Sequence, residues 1–190
     1  EWVGNSAEVF EAVEVLSGKG PSDTRELCIN LGANMLTMSG GAENFHEGLS
    51  RAAEALDDGS ALKKFEELVA AQKGDASVAA DPEKVLPRAA HVYEIRSERR
   101  GRLSKLDALL IGEGLRSLGG GRMTQEDKID HSVAVQLLRK VGDEVCEGDV
   151  LLRIFYNDEK RLQDSLHYLG NSWEVADRAE KRKLILDMVS

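Results

Sequence analysis

The spacing of apolar residues changes once along this chain, and that change limits the fold more than any other feature. From Val9 to Val69 they recur every three or four positions, the period of a helix with one covered face. From His91 onward short stretches alternate instead, the period of a strand. Turn residues divide the first part into four helices. Asn5 and Glu8 have the spacing of a capping pair ahead of Val9, Ala12, Val13 and Leu16, and Gly18 and Gly20 close that stretch. Pro21-Ser22-Asp23 opens the second helix, with Asp23 and Glu26 at capping-box spacing and Leu27, Leu31, Met35 and Met38 on one side, up to Gly40-Gly41. The third carries Phe45, Leu49, Ala52 and Leu56 and stops near Asp58-Gly59. Ser60 caps the fourth, which turns Leu62, Phe65, Leu68 and Val69 inward and ends before Gly74. Each stripe is expected to be core, and Cys28, beside Leu27 and Leu31, is expected to fill that core as well.

Residues 75–90 hold no period and contain Pro82 and Pro87, so they read as a connection across the surface. His91–Ser97 then reads as a strand with His91, Tyr93 and Ile95 on one side. The glycine of "RRGRLSKLDA" signals a hairpin or a bulge. Leu109–Gly121 reads as a short helix ended by three glycines, in spite of Gly112 and Gly114, and polar residues 122–130 read as a mobile loop. Residues 131–156 read as strand, turn, short strand, turn, strand, reversing at two Gly-Asp pairs that tolerate left-handed geometry. Asp158 starts a helix with Leu162, Leu166 and Leu169 on one face. Lys183–Val189 reads as a last strand, and the charged run before it is open to helix.

Bulk properties exclude some classes of function. A hydrophobic content of 42% over 190 residues supports a packed core. A net charge of −9 argues against wrapping a nucleic-acid backbone, and the longest apolar runs are too short to cross a bilayer. No signal peptide is read, and the start at Glu1 without Met reads as a piece of something longer. Two distant cysteines without a Cys-x-x-Cys pair fit a reduced, cytoplasmic setting.

Local chemistry is sparse. "RKVGDEVCEGDVLLRIFYNDEK" resembles the hairpin of a biotinyl or lipoyl carrier, but Lys160 lies eleven residues past Asp149, in the first turn of a helix where a swinging arm is badly placed. His46, His91, His131 and His167 fall in four different elements and make no zinc site. Asp130-His131-Ser132 has the residue types of a triad, yet neighbours on a strand point to opposite faces. Gly40-Gly41 reads as a helix end rather than a phosphate cradle. Gly120, Gly121 and Arg122 are the candidates for a closure loop: the glycines allow unusual backbone angles, and the guanidinium suits an anion.

Several of these pieces, in order, resemble thymidine and pyrimidine-nucleoside phosphorylases. Val3–Leu36 is similar to the family's Gly-Asn-Ala-x-Glu-Val, Gly-x-Gly-Pro-x-Asp and Leu-Gly-x-x-Met-Leu motifs. Lys64–Asp75 resembles its Phe-x-x-Met-Val-x-x-Gln-Gly-Gly-Asp, and Leu118–Val133 its Leu-Gly-Ala-Gly-Arg…Asp-x-Ile-Asp…Val. "VGDEVCEGDVL" resembles its closing hairpin. The likeness covers nearly the whole chain, with Ser6 where alanine is usual and Gly120 where alanine or glycine occurs.

The resemblance implies an α+β chain. Residues 1–75 are a helical segment packing on the catalytic α/β domain, 76–90 a connection, and 91–190 the family's small C-terminal domain of hammerhead or barrel-sandwich shape. It implies a parent enzyme that splits a pyrimidine nucleoside with phosphate into free base and pentose 1-phosphate. The phosphate loop, of Lys-x-Ser-Thr-Gly-Gly type, and the Arg, Ser and Lys that hold the base lie upstream of the Gly-Asn motif, so no catalytic residue is assigned here. No cofactor, metal, nucleic acid or membrane is expected. Phosphate and nucleoside are met through the absent N-terminal part, and the parent is expected to be a homodimer. A stand-alone scaffold or interaction module is the other reading.

Overall fold

The structure is a computed structural model that describes residues 1–187. Four helices come first: α1 Asn5–Leu16, α2 Ser22–Met38, α3 Phe45–Asp57 and α4 Ser60–Ala71. A 3-10 turn at Ala76–Ala79 and short helix α5, Pro82–Val85, follow within the stretch expected to be a plain connection. The strands are β1 Trp2–Val3, β2 His91–Arg96, β3 Gly101–Leu106, β4 Ala134–Leu137, β5 Glu144–Val145, β6 Val150–Tyr156 and β7 Trp173–Ala176. Helices α6, Ala108–Leu115, and α7, Glu159–Leu169, interrupt them. The chain is α+β, as its periodicities and its family likeness imply. It divides into two compact units, residues 1–8 with 87–182, and residues 9–86 with the segment from 183 onward.

The first unit holds two antiparallel sheets, ordered β1-β4-β6-β2 and β5-β3-β7. Strand β6 is their densest part. Leu151, Leu152 and Ile154 are all fully buried, and since successive strand residues point to opposite faces, both sides of β6 are covered there. Leu103, Val135, Val145, Leu162 and Leu169 complete the centre of the core. The expected face of α7 holds: Leu162 and Leu169 are buried and Leu166 packs beside them. Asp158 caps that helix by accepting from the backbone N–H of Arg161 at 2.9 Å. Gly114 answers a steric need inside α6. A Cβ there would lie 2.5 Å from Leu169 Cγ, so the glycine lets α6 and α7 meet closely.

Two strand expectations change. Strands β2 and β3 do not form a hairpin; β2 pairs with β6, and β3 lies between β5 and β7. Gly101, the first residue of β3, serves close approach, because a Cβ would fall 2.6 Å from the Ala176 carbonyl oxygen, and the bulge alternative has its counterpart in the register shift between Leu103 and Lys105 against β7. The last strand among the described residues is Trp173–Ala176, which begins one residue before the run left open to helix and takes up its first three residues. Residues 183–187 are not strand, and Met188 and Val189 of the expected strand lie outside the described residues.

The second unit is built on small side chains. Among its described residues the buried apolar ones are Val13, Val15, Ala33, Ala42, Val78 and Ala79. Helices α2 and α3 cross at Ala33 and Gly48, where a Cβ on Gly48 would come within 2.7 Å of the Ala33 carbonyl oxygen. That crossing overturns the expected core stripe. Leu31 and Met35 sit two residues either side of Ala33, about 200° around a helix of 3.6 residues per turn, and so point away from α3. Leu27, Leu31, Met35 and Met38 are 38%, 54%, 70% and 88% exposed. Cys28, expected in the core, is exposed as well. On α1, Val13 and Val15 are buried and Ala12 is not.

The helix starts also differ in detail. Glu8 reaches back to the Gly4 N–H at 2.9 Å, one residue earlier than the capping pair predicts. Pro21 precedes α2 with no side-chain cap, and Asp23 lies inside the first turn. For α4 the cap is supplied by Asp58, which accepts from the Ser60 N–H at 2.8 Å.

A clasped glycine loop as the candidate functional site

The loop begins where α6 ends. Asp107 starts that helix by accepting from the N–H groups of Leu109 and Leu110. After Leu115 the chain leaves through a wide turn, Arg116–Gly120, in which Gly119 adopts φ 108°. L side chains rarely take that angle, and a Cβ at Gly119 would also run into the guanidinium of Arg161. At Gly120 a Cβ would come within 2.7 Å of Leu115 Cγ. The backbone angle at Gly119 demands glycine, while at Gly120 a side chain would have to displace Leu115.

Eleven residues later the chain returns, and the Asp130 N–H donates to the Gly119 carbonyl at 2.9 Å. Side chains reinforce this junction. Ser132 donates to Asp130 through its hydroxyl (2.6 Å) and its backbone N–H (3.0 Å). The Asn157 amide donates to the other Asp130 oxygen and to Ser132 Oγ, each at 2.8 Å, while its own oxygen accepts from the Ala90 N–H. From the start of the chain, Asn5 Nδ2 donates to the Gly120 carbonyl at 2.8 Å. The Ser6 hydroxyl lies within hydrogen-bond reach of the carbonyls of Pro87 and His131, to one of which it donates its proton, and its backbone N–H donates to His131 at 3.2 Å. Gly4 makes this approach possible: with φ 148°, a Cβ would fall 2.8 Å from the Val133 carbonyl oxygen.

Electrostatics favour the clasp. Burial pushes the Asp130 carboxyl up, but hydrogen bonds from Ser132 and Asn157, with the Arg161 charge, outweigh it and leave the group below its ordinary value. At the tip, Asp127 accepts from the N–H groups of Thr124 and Met123 and is held low by the Thr124 N–H and hydroxyl and then the Met123 N–H.

Between the loop and the first turn of α7 lies an open cavity of about 330 Å³. Its wall includes four cations, Arg116, Lys128, Lys160 and Arg161, and three carboxylates, Asp127, Asp158 and Asp164. Asp127 and Asp158 are engaged by backbone N–H groups, and Arg116 is paired with Glu113. The cavity is therefore mixed in charge rather than a strong anion trap.

The sequence candidates separate here. Gly120 is held by Asn5, Gly121 lines the cavity, and Arg122 is exposed on the loop outside its wall. Lys160 is exposed in the first turn of α7. In Asp130-His131-Ser132 the outer pair bond each other and the His131 carbonyl is an acceptor, so the stretch is part of the clasp. Among the described residues no three His, Cys, Asp or Glu side chains converge as a metal site. Asn157, Ser132 and Ser6 were not anticipated. Asn157 and Ser6 leave a weak local signal, since their partners are brought near by the tertiary fold, whereas Ser132 bonds to Asp130 only two residues away.

Residues 102–176 match the family described as "Pyrimidine nucleoside phosphorylase C-terminal domain". Over 188 residues, 99% of the chain, it is 39% identical to a pyrimidine-nucleoside phosphorylase of Staphylococcus haemolyticus, covering 43% of that protein. It is 41% identical over 158 residues to the pyrimidine-nucleoside phosphorylase of Geobacillus stearothermophilus, covering 83% of this chain and 36% of the relative. With that of Bacillus subtilis it shares 35% over 188 residues, 99% of this chain and 43% of the relative. The chain thus spans less than half the length of the curated relatives it matches. It belongs to the pyrimidine-nucleoside phosphorylase family, as a match to the C-terminal part of its members.

Proposed function

We propose that this chain is the C-terminal part of a pyrimidine-nucleoside phosphorylase and acts there as a supporting shell. The reaction breaks the bond from C1′ of the pentose to the pyrimidine nitrogen and forms a bond from C1′ to a phosphate oxygen. Free base and pentose 1-phosphate result. The groups that bind phosphate and base come from the preceding part of the polypeptide. Residues 1–75 brace the catalytic domain, 76–90 connect, and 91–190 form the appended domain. The enzyme works as a cytoplasmic homodimer.

Within this shell the loop from Gly119 to Asp130 helps to secure the closed state. The observation that carries this is the clasp, in which Asn5, from the family's Gly-Asn motif, holds the Gly120 carbonyl. A loop fixed so firmly at its base presents the exposed Arg122 from a defined position. The test is phosphorolysis of uridine and thymidine by the parent polypeptide carrying Arg122→Ala. A lower kcat/KM is expected, and unchanged kinetics would remove the closure role. Release of uracil or thymine by the 190-residue chain alone would overturn the supporting-shell reading.

A further inference from the structure

The cavity between the glycine loop and α7 gathers cations that have no fixed partner. Elsewhere on the same unit Arg99, Arg102, Arg153 and Lys181 each meet a carboxylate. Among the described residues the side chains of Lys128, Lys160 and Arg161 form no ion pair and no hydrogen bond. Lys128 comes from the loop, and Lys160 and Arg161 from the first turn of α7, so like charges from two elements border one space. The Arg161 guanidinium lies against Gly119, at the base of that loop. Like charges that share a cleft repel, and an anion placed among them turns the repulsion into attraction.

The rest of the wall selects the anion. Asp164 stands four residues beyond Lys160, the spacing of a helical ion pair, yet among the described residues it forms no ion pair or hydrogen bond. Asp127 and Asp158 accept from backbone N–H groups and keep further lone pairs, and Ser117 adds a hydroxyl. These carboxylates repel a bare anion but accept from hydroxyl groups carried beside it. Among the described residues no Phe, Tyr, Trp or His lines the cavity, so nothing there stacks a nucleobase. Its volume of about 330 Å³ lies at the small end of the ~300–1,000 Å³ usual for small-molecule pockets. We propose that the cavity binds a small sugar phosphate, its phosphate held by Lys128, Lys160 and Arg161 and its hydroxyls donating to Asp164. Such a ligand ties the loop to α7 through Lys128. The pentose 1-phosphate of the proposed reaction belongs to this class, and that link alone rests on the reading above.

Lysine acetylation read by mass spectrometry tests the site in the parent polypeptide, with ribose 5-phosphate, ribose and inorganic phosphate as probes and the exposed Lys181 as reference. Ribose 5-phosphate is expected to slow labelling of Lys128 and Lys160 together by about fivefold or more while Lys181 keeps its rate, as charge-assisted contacts occupy both amines. Inorganic phosphate should need about tenfold more to give the same protection, and ribose alone should give none. Lys160→Glu, at an exposed position, should abolish protection of Lys128, and Lys160→Arg should retain it; Lys160→Gln replaces the first variant if charge reversal unfolds the protein. Unprotected lysines with ribose 5-phosphate would overturn the inference. Equal protection by inorganic phosphate would overturn the sugar-phosphate class, leaving an anion site. Protection of Lys128 that survives Lys160→Glu would place the ligand elsewhere and overturn the site. Phosphorolysis by the same preparation is scored separately: an active enzyme with unprotected lysines refutes the site alone, and protected lysines without phosphorolysis refute the activity alone.

Discussion

Replacing Asn5 with alanine removes a side-chain hydrogen bond from the start of the chain to the glycine loop, 2.8 Å from Nδ2 to the Gly120 carbonyl. Both partners are part-buried, and the freed carbonyl can turn toward water, so the net loss is close to about 1 kcal/mol, the middle of the usual range of ~0.5–1.5 kcal/mol. At 25 °C that corresponds to about a fivefold rise in the open population of the loop, since ~1.4 kcal/mol is tenfold. The Asp130 N–H reports that opening, because its bond to the Gly119 carbonyl closes the base of the loop. Hydrogen exchange followed by NMR should therefore show the Asp130 amide exchanging about fivefold faster in Asn5→Ala, while amides of β6 keep their rates. An unchanged Asp130 rate in a folded variant would refute the clasp. So would equal acceleration at β6, which would show that the variant loosens the whole unit instead.

Gly114→Ala should destabilise by about 1–3 kcal/mol through its clash with Leu169, seen as a lower Tm, while Gly112→Ala, with nothing within 4 Å of the new Cβ, should stabilise by about 0.4–1 kcal/mol; equal effects would contradict the close α6–α7 contact. Leu152→Ala, at a fully buried site in β6, should cost about 2–5 kcal/mol in urea unfolding, and a cost under ~1 kcal/mol would mean that the strand is not covered on that side. Because Asp130 is held below its ordinary value in the fold, its contribution is complete above the normal carboxylate range and drains away as pH falls through the lowered value. An NMR titration of its carboxyl carbon should find the midpoint below that of an unstructured aspartate, and a midpoint at or above it would contradict the bonding from Ser132 and Asn157.

Elements whose cues are local were legible in the sequence. Asp158 caps α7 and Leu162 and Leu169 face the core, because a helix cap and a helical period are decided within a few residues. The strand-turn-strand reading of residues 131–156 holds for the same reason. Other features depend on what a segment meets. The α2 stripe is a genuine helical face, but its period does not say whether Ala33 or Leu31 turns inward, and the small-residue crossing with Gly48 settles that. A glycine can mark a turn or a tight approach, and Gly101 proved to be the second. Asn5 looked like a cap because nothing nearby betrays an acceptor 115 residues away. At the loop, the glycines were visible in advance, whereas their fastening by Asn157 and Ser132 emerged only with the fold.

The pairing of Trp2 and Val3 with Gln136 and Val135 has a consequence for anyone dissecting the molecule. Strand β1 is synthesised more than a hundred residues ahead of its neighbour β4, which places closure of that border late in assembly. A fragment trimmed to the contiguous stretch 87–182 would leave β4 with an unpaired flank, inviting pairing with foreign strands. Such a fragment is sound only if the first few residues are grafted back onto it.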